Sequence, residues 1–283
     1  MSLTDVSGVQ GPITSYVINL KRRPKQYEFF YNNNKKLIND NKINLIRFEA
    51  VDGFEENEKQ SKIMLKNPVH KQRKHGVFGC FLSHLMVLQI IAQMQSNEWV
   101  FILEDDAIIN PEIFNIWPYL MSQTKLYDIN VVFLSRSYAS KDTFIYQPID
   151  GFNLVKVSGE FWGCQFYMVR PQGAKQLLAS KEMNPYESVP YDIALANIAQ
   201  SENFIYAAII YNKNDEFWKK DPLYSGPWPF VNTNILAYAN LSSTMGSSTE
   251  EYFENSFNYT LIILCVVLSI ILSIMLLQMF LVR

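Results

Sequence analysis

A run of five large apolar residues, Trp99-Val100-Phe101-Ile102-Leu103, ends in three consecutive carboxylates, Glu104-Asp105-Asp106. The apolar run predicts a strand buried on both faces, as in a parallel sheet covered by helices. Acidic side chains rarely continue such a strand unless a cation meets them. Ligands of open α/β sheets bind just beyond the carboxyl ends of the strands, where these acids fall. Side chains alternate along a strand, so Glu104 and Asp106 are expected on one face and Asp105 on the other. The pattern predicts a metal site.

The rest of the chain supplies the sheet and its cover. Ser15–Leu20 reads as a first strand, and Pro24 opens a helix running to about Asn39. Ile43–Val51 reads as a second strand, closed by the turn pair Asp52-Gly53. Residues 54–75 are polar and irregular, a surface loop. Gly79–Gln95 has helical periodicity, with Leu82, Leu85, Leu88 and Ala92 recurring at three- and four-residue spacing. A helix opening near Pro111 and a strand over Ile129–Leu134 follow. Residues 141–170 suggest short strands joined by the Asp150-Gly151 turn. Helices are expected over Pro171–Ser180 and Val189–Ala199, and a last strand over Phe204–Tyr211. This alternation predicts an α/β domain over residues 1–211, with a mainly parallel central sheet and helices on both faces.

Composition narrows the partners. With 25 basic and 27 acidic residues the net charge is −2, and no basic stripe favours nucleic acid. Of 3 cysteines, Cys265 lies in an apolar tail, which leaves only Cys80 and Cys164 as a possible pair. No CxxC or Cys/His ligand spacing appears, so a structural zinc site is not expected.

The two ends differ sharply. Residues 1–11 are polar and lack the apolar core of a signal peptide. Residues 212–258 carry Pro, Gly, Ser and Asn without periodicity and read as a linker. From Thr260 to Val282 the chain is apolar except for Ser269, Ser273 and Gln278, long enough to cross ~30 Å of hydrocarbon as a helix. A single C-terminal transmembrane helix over 259–282 is expected, with the large N-terminal part facing the cytoplasm. The flanking charges, Glu250, Glu251 and Glu254 before and Arg283 after, do not decide the orientation.

Several ordered segments together resemble glycosyltransferase family 25, the lipopolysaccharide-type and procollagen galactosyltransferase family. Tyr16-Val17-Ile18-Asn19-Leu20-Lys21-Arg22-Arg23-Pro24 is similar to its opening strand and Arg-rich turn, and Ala50-Val51-Asp52-Gly53 to its next block. Gly76-Val77-Phe78-Gly79-Cys80-Phe81-Leu82-Ser83-His84 resembles its Gly-x-x-Gly-Cys-x-x-Ser-His signature, and Ile102–Asp106 its acidic motif. Gly163, Tyr167, Val169, Gly173-Ala174 and Pro190-x-Asp192 keep the later pattern, so the resemblance spans Tyr16 to Asn212. Val77 stands where the family usually has Glu, and Cys164 where it has a small hydroxyl residue. His70, His75 and His84 all precede the acidic motif, so no late histidine ligand is at hand.

The resemblance implies a GT-A-like fold and the metal-assisted, inverting transfer of a hexose, galactose or glucose, from a UDP-sugar to a hydroxyl on a glycan or protein. Oxygen ligands suit manganese, with magnesium as the second choice. Asp106 is expected to hold the metal, with Asp105 next in the same catalytic centre, while Glu104 accepts from a ribose hydroxyl. Asn19, Arg22 and Arg23 are expected beside the nucleotide, since Arg forks suit phosphate oxygens. Ser83 and His84 are expected near a helix start, where backbone N–H groups face an anion; His84 reads equally well as a packing residue. Asp192 is expected to be the general base for the acceptor, or else a helix-capping carboxylate. Two other readings stay open: a binding or scaffold module without turnover, and metal-dependent phosphoryl transfer.

Overall fold

A computed structural model of the chain describes residues 11–53, 74–135, 138–139, 142–146, 152–157, 161–185, 189–201 and 206–211. The expected linker, membrane anchor, 150–151 turn and nearly all of the 54–75 loop lie outside the described residues. Among the described residues no helix is long and apolar enough to cross a membrane.

Strand β1 (Ile13–Asn19) leads through helix α1 (Pro24–Asn39) to β2 (Ile43–Glu49), and α2 (Lys74–Ala92) precedes β3 (Val100–Glu104). Then come α3 (Glu112–Leu126), β4 (Val131–Ser135), β5 (Tyr138–Ala139), β6 (Asp142–Tyr146), β7 (Phe152–Val157), β8 (Phe161–Trp162) and β9 (Phe166–Val169). Helices α4 (Pro171–Ala179) and α5 (Tyr191–Ser201) and strand β10 (Tyr206–Tyr211) complete the order. Eight strands form one sheet in the order β2-β1-β3-β9-β4-β10-β7-β6, and β5 pairs with β8 apart from it.

Side-chain alternation divides the core into two layers. Val17, Phe101, Leu103, Val132, Phe166 and Met168 pack with Phe30 and Leu37 of α1 and with Ile113, Trp117 and Leu120 of α3. Tyr16, Ile18, Val100, Ile102, Phe133 and Tyr167 face the other way, onto Leu88 and Ile91 of α2, Leu177 of α4 and Leu195 of α5. Helices therefore cover both faces, and that cover is why Val100 to Leu103 are all apolar.

The sheet is mixed rather than mainly parallel. Strands β1–β2, β1–β3 and β4–β10 pair parallel, but β9 runs antiparallel between β3 and β4, and β10–β7 and β7–β6 are antiparallel too. Burial on two faces demands apolar runs whatever a strand's direction, so the run in β3 carries no information on whether its neighbour is parallel.

Two local expectations also change. The strand ends at Glu104: Ala107 N–H donates to Glu104 O at 3.1 Å, so the chain turns and alternation does not carry on to Asp106. Helix α2 already includes Lys74, not just Gly79 onward. Gly79 serves close packing there, since a Cβ would lie 2.5 Å from Val51 O and 2.8 Å from Gly53 N.

Candidate active site

The turn after β3 gathers the three acids, and each meets a different environment. Asp105 Oδ2 accepts from Asn19 Nδ2 at 2.6 Å. Asn19 is 0 % exposed; its Nδ2 also donates to Arg23 O at 3.1 Å, and its Oδ1 accepts from Arg47 Nε and Nη2 at 3.0 and 2.6 Å. Both ends of that amide are committed inside the protein. Asn19 thus orients Asp105 rather than reaching a nucleotide. The Arg47 guanidinium sits 4.7 Å over the Tyr27 ring, which holds the donor of this chain in place.

Asp106 is 8 % exposed, and its Oδ1 is buried without a hydrogen-bond partner among the described residues. Burial, and then the charges of Glu104 and Asp105, lift its carboxyl well above the usual range. Burial also raises Asp105 to about 6, against the opposing pull of the Asn19 hydrogen bond and the Arg23 charge. Buried carboxylates that repel one another, one of them with an orphaned oxygen, suit a divalent cation with hard oxygen ligands. Asp106, seconded by Asp105, fits that group.

Glu104 ends β3 on the opposite face, where α2 and α5 pack. Its Oε1 lies 3.3 Å from His84 Nε2. A cleft of about 420 Å³ between β1, the end of β2 and α2 is bounded by Leu20, Arg22, Asp52, Ser83, His84 and Glu104. A second, of about 330 Å³, lies between α2 and α5 and is bounded by Gly163, Cys164, Pro190, Tyr191 and Asp192. Cys80 and Glu104 line both, so the two adjoin. Burial raises the Cys80 thiol well above its ordinary value, and Glu104, Asp192 and Asp106 push it further.

Arg22 pairs with Asp52 in the wall of the first cleft. Ser83 and His84 lie in the middle of α2, not near its start, so their backbone N–H groups are not at a helix end. Ser83 is fully buried; its Oγ donates to Gly79 O at 2.6 Å and accepts from Val51 N at 2.9 Å. Asp192 opens α5 at the second cleft. Its Oδ2 accepts from Gly163 N at 2.8 Å and its Oδ1 from Ile193 N at 2.9 Å. Burial raises its carboxyl, opposed by those backbone donors.

The structure thus brings Arg22, Ser83, His84 and Glu104 to one cleft and Asp192 to its neighbour, turns Asn19 inward, and leaves Asp105, Asp106 and Arg23 outside the lining of both. Sequence reasoning noted Asp52, Cys80 and Tyr167 as motif residues without giving them a role, and missed Tyr191 and Arg47. Cys80 had a legible signal, since residues four apart on a helix share a face and His84 is four residues on. Asp52 had one too, following the strand beside β1 at its carboxyl end.

A pH dependence follows from Asp105. Its folded-state value, about 6, lies above the ordinary 3.8 of an aspartate carboxyl, so the folded state holds this proton more tightly. The stabilisation is complete below about pH 4 and is lost as pH rises through 6, a loss of roughly 3 kcal/mol by pH 7. Urea unfolding with a chelator present should show the parent losing that much relative to Asp105→Asn between pH 4 and 7. A difference independent of pH would contradict the burial of this charge.

Comparison with known proteins gives a consistent picture. A family model described as Glycosyltransferase family 25 (LPS biosynthesis protein) matches residues 13–195. A "Glycosyltransferase 25 family member" of Aedes aegypti is 26% identical over 255 residues, which is 87% of this chain and 40% of that protein. One of Drosophila melanogaster is 28% identical over 190 residues, 62% of this chain and 29% of that protein. The chain therefore spans well under half the length of these relatives. Among solved structures, a glycosyltransferase involved in the glycosylation of the major capsid of PBCV-1 aligns at 13% identity over 70% of this chain and 80% of that one. Its TM-score is 0.36.

Proposed function

The chain belongs to glycosyltransferase family 25, and from that premise we propose that it transfers a hexose, galactose or glucose, from a UDP-sugar to a hydroxyl of a glycan or protein. The arrangement we propose is GT-A-like. The cleft beside β1, with Arg22 and Asp52 in its wall, takes the nucleotide sugar, and the cleft beside α5 takes the acceptor. Glu104, lining both, marks where the two meet and accepts from a donor hydroxyl.

The observation that carries this reading is the orphaned, buried Asp106 Oδ1 beside Glu104 and Asp105 at the carboxyl end of β3. Asp106 and Asp105 would hold a divalent ion, manganese or magnesium. When bound, such an ion neutralises the charge that builds on a nucleoside diphosphate leaving group. The protein's own groups do the rest. Arg22 supplies positive charge at the donor cleft, and its pairing with Asp52 fixes the fork's direction. Asp192 takes the proton of the attacking hydroxyl, with two backbone N–H groups aiming its oxygens and burial raising its basicity. One base and one displacement make the reaction inverting. We further propose residues 1–211 as the catalytic unit, 212–258 as a linker and 259–282 as a membrane anchor that leaves the catalytic unit on the cytoplasmic side.

The test is a screen of UDP-sugars against the full chain in manganese and in chelator, reading UDP release with and without acceptor. Release from UDP-galactose or UDP-glucose only with the metal supports the proposal; no release from any nucleotide sugar would leave a scaffold. Asp192→Asn should cut transfer to acceptor by about 10²–10⁴-fold, with donor binding by calorimetry unchanged. Equal transfer by that variant would remove Asp192 from the mechanism.

A further inference from the structure

Behind Glu104 a line of hydrogen bonds runs inward through three aromatic rings. His84 Nε2 lies 3.3 Å from Glu104 Oε1, and His84 Nδ1 lies 3.1 Å from the Tyr167 hydroxyl. The Tyr167 hydroxyl lies 3.0 Å from that of Tyr191. Relative exposures of His84, Tyr167 and Tyr191 are 0, 0 and 2 %, so water supplies little to any of these groups. The imidazole also stacks on the Tyr191 ring, with centroids 4.4 Å apart and planes 9° from parallel.

The direction of each bond follows from the one before. A carboxylate only accepts, so His84 Nε2 must donate to Glu104. Burial lowers His84 to about 3, leaving it neutral with a single N–H. Nδ1 is then an acceptor, and Tyr167 O–H must donate to it. The Tyr167 oxygen in turn accepts from Tyr191 O–H. One arrangement satisfies every group, whereas the other imidazole tautomer points a lone pair at the Glu104 carboxylate.

We infer that His84 is a positioning residue: Tyr191 and Tyr167 lock its imidazole as the Nε2–H tautomer, and that N–H holds the Glu104 carboxylate in the wall shared by the two clefts. Glutamate has three rotatable side-chain bonds and sits here at a strand end, so a fixed N–H donor narrows the positions its oxygens take. The role rests on the donor-and-acceptor reading proposed above, but the tautomer does not. Cys80 offers a competing use of the same atoms. With His84 and Glu104 it forms a group whose ligand atoms lie within 4.8 Å of one another, a cluster a soft divalent ion would suit. The relay argues against that use. Nε2 carries a proton where a metal needs a lone pair.

The tautomer is read directly from imidazole ¹⁵N shifts in the full chain. The chain has 3 histidines, so a H70Q/H75Q variant leaves His84 as the only one. The expected spectrum has Nε2 protonated and Nδ1 bare, unchanged by zinc. A protonated Nδ1, or zinc-induced shifts at Nε2, would overturn the inference. Tyr167→Phe removes the donor to Nδ1 and should lower kcat about tenfold, with KM for the nucleotide sugar within about twofold. Tyr191→Phe, one bond further off, should cost about threefold or less. A Tyr167→Phe enzyme with parental kcat would also overturn it, as would a loss confined to KM. Should no nucleotide sugar turn over at all, the functional reading fails while the ¹⁵N result still decides the relay.

Discussion

Asp106→Asn is expected to reduce sugar transfer at least about a thousandfold, because several kcal/mol of charge stabilisation at the leaving group depends on this carboxylate. The same substitution is expected to make the metal-free chain more stable. Asp106 Oδ1 has no partner among the described residues, and Glu104 and Asp105 add repulsion to its burial. A neutral amide of nearly the same shape removes the charge while keeping the volume. The gain should appear as a higher urea midpoint at pH 7, because in the folded state the acid must either stay charged or take up a proton at a cost that the amide does not bear. Few substitutions abolish activity and raise stability together, and the combination separates a ligand role from a structural one.

A thermal-shift titration supplies the matching readout without turnover. Manganese at a hundred times its dissociation constant should stabilise the parent by about 2.7 kcal/mol and leave Asp106→Asn unmoved. If the variant is both active and equally stabilised by manganese, Asp106 is not the ligand. If it is inactive yet less stable than the parent, the carboxylate belongs to an internal hydrogen-bond network instead.

How far the site could be read from the chain depends on how local each cause is. The strand ahead of the acids was legible because Val100 to Leu103 are apolar on two faces, and the helices on both faces account for that. The division of the core was also legible, since Val17 and Ile18 alternate between its two layers as strand residues must. The direction of β9 was not, because Phe166–Val169 is equally apolar whether its neighbours run with it or against it. Nor was the inward turn of Asn19. Its partner Arg47 lies 28 residues on and reaches it only because β1 and β2 pair in register, Val17 opposite Arg47 and Asn19 opposite Glu49. The relay behind Glu104 joins α2, β9 and α5, and no periodicity in any one of them points to the others. Gly79 misled most directly: a glycine reads as a helix boundary, while here it marks a helix pressed against main chain.

That pressure sets the largest stability effect expected among the substitutions that leave every charge in place. An alanine at Gly79 would put Cβ 2.5 Å from Val51 O and 2.8 Å from Gly53 N, both backbone atoms that cannot swing aside. Helix propensity favours the alanine by about 1 kcal/mol. Overpacking opposes it by about 1–3 kcal/mol or more, and the shift would also strain the Ser83 clip. That clip binds Gly79 O at 2.6 Å and Val51 N at 2.9 Å, another contribution of about 1 kcal/mol. The losses win, and Gly79→Ala should cost about 2 kcal/mol net in denaturant unfolding. Function should suffer through the same movement, because Val51, Asp52, Gly53, Ser83 and His84 all line the proposed donor cleft. Gly173 provides the control. An alanine there would lie 2.5 Å from Asn130 O, as tight a contact, yet Gly173 lines neither cleft. Gly173→Ala should therefore lose comparable stability with the KM for nucleotide sugar preserved, while Gly79→Ala raises that KM severalfold. Equal KM changes in the two variants would mean that general destabilisation, not the seating of α2 against the end of β2, governs donor binding.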